Sequence, residues 1–97
     1  MLRIEDIQRT VMKRGKEYGA ESIYLFGSYA RGDATENSDV DLRIDKGRIV
    51  GGIALAGLLL DLEDDLGRPV DLVTTGSLSE EFLSEIKKEE RLLYADK

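Results

Sequence analysis

Residues 24–44 read YLFGSYARGDATENSDVDLRI and contain two short apolar segments, each next to small or acidic residues. The first segment, residues 23–26, is rich in β-favouring side chains and stops at a Gly-Ser pair. The second, residues 39–44, alternates polar and apolar residues as a half-buried strand does. This stretch therefore predicts two neighbouring strands, with a small-residue turn after the first and with Asp39 and Asp41 on the polar face of the second.

Helical and strand patterns alternate along the rest of the chain. Residues 2–18 and 55–66 carry apolar side chains at helical spacing, and a glycine follows each run. Residues 69–73 alternate like a third strand, residues 77–80 have the spacing of a capping box before a last helix, and residues 91–94 suit a short edge strand. The order helix, strand, strand, helix, strand, helix, strand predicts an α/β fold: a small mixed sheet with helices packed on it.

The composition limits the chemistry that is available. The chain has 97 residues, of which 41% are hydrophobic, so we expect a single domain over residues 1–97. It has no cysteine and no histidine, which excludes disulfides, thiolate zinc sites, cysteine nucleophiles and imidazole bases. A net charge of -6 disfavours a nucleic-acid partner. Because no signal peptide or membrane-spanning run is recognisable, we expect a soluble, cytoplasmic protein that works through carboxylates, hydroxyls, lysines or arginines.

The aspartates of the second strand predict a cation site. Asp39 and Asp41 lie two residues apart on a strand, so their side chains point the same way from Cα atoms roughly 6.5 Å apart. If the strand at 69–73 lies beside this one, Asp71 joins them. Such carboxylates repel one another unless one is protonated or a cation lies between them, and the fitting cations for oxygen ligands are Mg²⁺ and Mn²⁺. Two such ions could stabilise both the attacking and the leaving oxygen of a displacement at phosphorus.

The Gly-Ser turn suits the phosphates of such a substrate. Gly27 lets the backbone approach a phosphate closely, and Ser28 adds a hydroxyl donor at the start of a helical turn. Arg31, one turn further on, could reach the same phosphates. An ordinary surface salt bridge between Arg31 and Asp33 or Glu36 is an equally good account of that arginine.

The motif spacing resembles a known signature. Gly-Ser, ten residues, Asp-Val-Asp, and a later strand aspartate in VDLV together resemble the signature of the DNA polymerase β-like nucleotidyltransferases. The string GSYARGDATENSDVDL is most similar to the minimal nucleotidyltransferases, the antitoxin half of HEPN–MNT toxin–antitoxin pairs. The resemblance implies the nucleotidyltransferase fold, phosphate binding by Gly27 and Ser28, Mg²⁺ binding by Asp39 and Asp41, and a third ligand or a base at Asp71.

The resemblance, which spans about residues 23–73, also implies a reaction and a partner. Family members of this kind transfer AMP from ATP to a tyrosine of the partner HEPN ribonuclease and so silence it. Two other classes stay open from the residues alone. One is a non-catalytic antitoxin that blocks its partner sterically, and the other is a structural domain that needs Mg²⁺ to fold and binds no nucleotide.

Overall fold

The computed structural model describes residues 2–96, and the first and last residues of the expected domain lie outside the described residues. The elements are α1 (Ile4–Tyr18), β1 (Ser22–Phe26), α2 (Gly27–Arg31), β2 (Val40–Asp45), α3 (Gly52–Leu66), β3 (Val70–Thr74), a 3-10 turn (Thr75–Ser77), α4 (Glu80–Lys87) and β4 (Arg91–Ala95). The predicted order of helices and strands is confirmed, and the short helix α2 includes the helical turn expected from Ser28 onward. Within residues 2–96, no helix combines the length and the apolar character that crossing a bilayer requires.

The strands form one mixed sheet in the order β3-β2-β1-β4. Strand β1 is antiparallel to both β2 and β4, whereas β2 and β3 are parallel. A parallel pair needs a crossover connection, and α3 supplies it between β2 and β3. The expected α/β fold with a small mixed sheet is therefore confirmed, and β4 is an edge strand as predicted.

The main core lies on one face of the sheet, beneath α1 and α3. Strands β1 and β2 place Ile23 opposite Ile44 and Leu25 opposite Leu42, and all four side chains are fully buried. Helices α1 and α3 are also joined at their surface, where Arg14 Nε donates to Asp65 Oδ2 at 2.7 Å. The alternation of residues 39–44 thus sets which side chains of β2 enter the core, and the apolar run of β1 supplies their partners on the same face.

The opposite face of the sheet, to which the sequence assigns the polar residues of β2, is partly covered. Arg43 is only 4% exposed: its guanidinium donates two hydrogen bonds to Glu90, at 3.0 and 2.8 Å, and lies 4.1 Å from the centre of the Tyr24 ring. Helix α4 packs on the same face, where Phe26 and Phe82 meet edge to face with ring centres 6.2 Å apart. These contacts leave part of the face open near the end of β1 and the beginnings of β2 and β3.

The predicted capping box before α4 is wrong in its register. Ser79, not Ser77, precedes the helix, and its Oγ accepts a hydrogen bond from the Phe82 N–H at 3.1 Å. Ser77 instead closes the 3-10 turn by donating to the carbonyl of Thr74 at 2.8 Å. Because the turn holds Ser77 in place, the helix begins two residues later than that pattern indicates.

Candidate active site

A cleft of about 440 Å³ opens at the end of β1, between α2 and α4. Its lining includes Gly27, Ser28, Arg31 and Asp41, which the sequence singled out. A second cleft, of about 480 Å³, lies at the opposite end of β2 and β3 beside Asp45, and the residues described as lining it include none of the motif residues. We therefore place the candidate active site in the first cleft, where the Gly-Ser turn and an aspartate of the second motif meet.

Gly27 holds the tightest position in this cleft. Its φ is +76°, a backbone conformation that side chains with a Cβ adopt only at a cost. A Cβ added here would lie 2.1 Å from Oδ2 of Asp41 and 3.0 Å from its Cγ. The glycine is therefore needed twice, once for the turn between β1 and α2 and once to make room for the Asp41 carboxylate.

The predicted neighbourhood of Asp41 and Asp71 is present. The two residues are register partners on the parallel strands β2 and β3, and neighbouring strands lie about 4.8 Å apart. Asp41 is half-buried, whereas Asp71 on the edge strand is exposed. Asp39 is exposed too and comes just before the first residue of β2, not within the strand as we predicted.

The electrostatics of the cleft centre on Asp41. Burial is the main cause that raises the pKa of the Asp41 carboxyl to about 6. The negative charges of Asp71 and Asp39 act in the same direction, so both lie close enough to disfavour its ionised form. The positive charge of Arg31 opposes them, and the carboxylate of Glu89 adds to the repulsion.

The carboxylates of the three aspartates do not form one compact group of metal ligands. Within residues 2–96, no group of three acidic side chains is close enough to form a ready-made metal site. Mutual repulsion between ionised carboxylates favours such a separation. The donor set still fits Mg²⁺ or Mn²⁺, because it consists of hard oxygens only and because the negative charge around Asp41 is what a divalent cation would offset.

Arg31 makes the surface salt bridge considered for it and a second ion pair inside the cleft. Its Nε pairs with Asp33 at 3.3 Å, so the surface salt bridge exists. Its Nη1 also lies 3.0 Å from Oε2 of Glu89 inside the cleft. The same Glu89 oxygen accepts a hydrogen bond from the backbone N–H of Gly27 at 2.7 Å.

Glu89 and Phe82 also line the cleft, and no pattern in the sequence predicted their contributions. Glu89 is 62 positions from Gly27, and neither residue stands in a motif that points to the other. Phe82 is 45% exposed and lines the cleft. Only the packing of α4 on the second face of the sheet brings the two residues to the site.

The chain is similar to known proteins over nearly its whole length. The family model "Polymerase beta, Nucleotidyltransferase" matches residues 5–97. Protein adenylyltransferase MntA of Thermococcus cleftensis is 37% identical over 93 residues, which is 92% of this chain and 94% of the relative. A Methanocaldococcus jannaschii protein assigned as a protein adenylyltransferase is 40% identical over 94 residues, covering 94% of this chain and 93% of that protein.

Two solved structures are similar over most of the fold. A crystal structure of a toxin-antitoxin with AMP-PNP has a TM-score of 0.79 at 27% identity, covering 93% of this chain and 74% of that chain. A protein assigned as a minimal nucleotidyltransferase has a TM-score of 0.81 at 30% identity, covering 93% of this chain and 95% of that one.

Proposed function

Because the chain belongs to the polymerase beta nucleotidyltransferase family, we propose that it transfers AMP from ATP to a tyrosine of a partner HEPN ribonuclease toxin and acts as its antitoxin. The observation that carries the proposal is the meeting of the Gly27 turn and Asp41 in one cleft. The relatives named protein adenylyltransferase and the similar toxin-antitoxin with AMP-PNP support the transferred group and the kind of partner.

Different residues would bind the phosphates of the nucleotide and its metal ions. Gly27 and Ser28 would hold the phosphates through a backbone N–H and a hydroxyl, and Arg31 would add a positive charge. The three aspartates, Asp39, Asp41 and Asp71, would hold two Mg²⁺ ions, with Mn²⁺ as a substitute. When bound, the ions would supply charge neutralisation for the triphosphate and for the departing pyrophosphate.

The transfer itself is a single displacement. The tyrosine oxygen forms a bond to the α-phosphorus of ATP, the bond from that phosphorus to the bridging oxygen breaks, and pyrophosphate leaves. The proton of the tyrosine passes to Asp71, which is exposed on the edge strand and so is accessible to a docked acceptor. Asp41 is half-buried, so its role is to hold the metal ions of the nucleotide and not to accept the proton.

The test is transfer to a co-purified HEPN-type toxin. We would incubate the two proteins with ATP and Mg²⁺, locate AMP by peptide mass spectrometry and follow the ribonuclease activity in parallel. We expect AMP on a tyrosine and a loss of ribonuclease activity in step with it. Asp41→Asn should abolish the transfer, whereas Asp64→Asn, which removes an exposed carboxylate of α3, should leave it unchanged.

One outcome would replace this account with the alternative. If the toxin is inhibited but carries no AMP, and if Asp41→Asn inhibits it as well as the original chain does, the protein is a non-catalytic antitoxin. It would then block its partner sterically.

A further inference from the structure

The Glu89 carboxylate occupies the donors that a phosphate would use. Its Oε2 accepts hydrogen bonds from the Gly27 N–H at 2.7 Å and from Arg31 Nη1 at 3.0 Å. A carboxylate and a phosphate both present anionic oxygens to such donors, so the two compete for the same place. The chain therefore fills part of its own phosphate site with an acidic side chain.

The backbone that carries Glu89 is held firmly. Glu89 lies in the short turn between α4 and β4, and its N–H donates to the carbonyl of Ile86 at 3.1 Å. The next residue, Glu90, is fixed by its paired hydrogen bonds to Arg43, with side chains that are 11% and 5% exposed. The Glu89 side chain is 27% exposed and can leave the cleft by rotating about its own bonds, with no change in this turn.

We propose that Glu89 is an intramolecular competitor of the nucleotide's phosphates and that it sets the affinity of the cleft for ATP. The inference deepens the proposed function and rests on it. In the closed form the Glu89 side chain accepts hydrogen bonds from Gly27 and Arg31. In the open form the side chain has rotated out of the cleft, and both donors are available to the triphosphate. Arg31 keeps a second partner in Asp33 at 3.3 Å, so its guanidinium stays near the cleft when Glu89 leaves.

The size of the effect follows from the population of the closed form. Apparent affinity falls by the fraction of molecules that are competent to bind. If about nine molecules in ten are closed, ATP binds about tenfold more weakly than it would to a chain without the competing carboxylate. The exposure of Arg31 and Glu89 keeps the contact within this modest range, because water screens a half-exposed ion pair.

The experiment measures the binding of ATP with Mg²⁺ by calorimetry to the original chain and to three variants. We expect Glu89→Ala to bind about tenfold more tightly, and Glu89→Gln to gain less because its amide oxygen still accepts hydrogen bonds. Asp64→Asn is the matched control. It also removes one acidic charge, but Asp64 is exposed on α3 and is not among the residues that line the cleft, so its loss should leave the affinity unchanged.

A parallel measurement separates this inference from the proposed function. Inorganic tripolyphosphate, followed through the amide signal of Gly27 in a ¹⁵N-labelled sample, tests phosphate binding alone. Tighter binding of tripolyphosphate by Glu89→Ala supports the inference, even if no toxin is ever modified. If folded Glu89→Ala binds both ligands no better than the original chain, or more weakly, the inference is overturned, and AMP transfer can still stand.

Discussion

Replacing Gly27 by alanine tests the contact on which the candidate site depends. The new Cβ would meet two costs, a positive φ of +76° and a collision with Asp41. The backbone cost for a residue with a Cβ in the left-handed region is about 1 to 2 kcal/mol. Gly32→Ala isolates that cost, because Gly32 has a φ of +85° and an added Cβ there meets nothing within 4 Å.

The collision adds a further cost that Gly32 does not have. The Cβ of Gly27→Ala would lie 2.1 Å from Oδ2, 3.0 Å from Cγ and 3.2 Å from Cβ of Asp41, so rotating the carboxylate alone does not clear it. Forcing atoms into a filled space costs about 1 to 3 kcal/mol. For a domain of this size, each 1 kcal/mol lowers the melting temperature by about 4 to 8 °C. We therefore expect Gly27→Ala to melt at least about 4 °C below Gly32→Ala.

Thermal unfolding followed by circular dichroism measures both variants under one condition. Asp41→Ala removes the colliding side-chain atoms beyond Cβ, so adding Gly27→Ala to Asp41→Ala should lower the melting temperature by little more than Gly32→Ala lowers that of the original chain. Equal melting temperatures for Gly27→Ala and Gly32→Ala would show that the turn does not pack against Asp41. In that case the geometry of the candidate site described above is wrong.

Three further predictions concern charge and capping. The pKa of the Asp41 carboxyl is about 6 in the folded chain against the usual 3.8. The contribution of this group to the free energy of unfolding is therefore complete below about pH 4, where the carboxyl is protonated, and is lost as the pH rises through 6. Asp41→Asn should therefore raise the stability at pH 7 by about 1 kcal/mol, after discounting for solvent exposure, and the gain should disappear at pH 4 in melts without divalent ions. Arg43→Ala should lower the free energy of unfolding, measured in urea, by about 3 to 5 kcal/mol because it leaves the buried Glu90 carboxylate without its partner. A smaller loss in Arg43→Met/Glu90→Gln than in Arg43→Ala would support that cause. Ser79→Ala should lower the free energy of unfolding by about 1 kcal/mol because it removes the N-cap of α4. A larger loss in a Ser77 variant would favour the capping box that the sequence predicted at Ser77.

Local patterns in the sequence were enough to predict the elements and the motif residues. Alternation in residues 39–44 and the apolar run at 23–26 identify β2 and β1, because side chains of a strand point alternately to its two faces. The glycine after β1 was identified correctly as a turn, since the chain there needs a positive φ. Local spacing also marks Asp39 and Asp41 as neighbours, and the strand pattern at 69–73 adds Asp71 on the condition that this strand lies beside β2.

Only the tertiary structure decides how distant residues meet at the cleft. The register that pairs Asp41 with Asp71 depends on how α3 crosses between two parallel strands, and alternation within each strand does not specify it. The burial of Arg43 and the contact of Glu89 with Gly27 depend on α4 and the following turn packing on the second face of the sheet. Such contacts join residues 47 to 62 positions apart. No local pattern encodes them, because each residue is compatible with its own helix, strand or turn whether or not its distant partner is present.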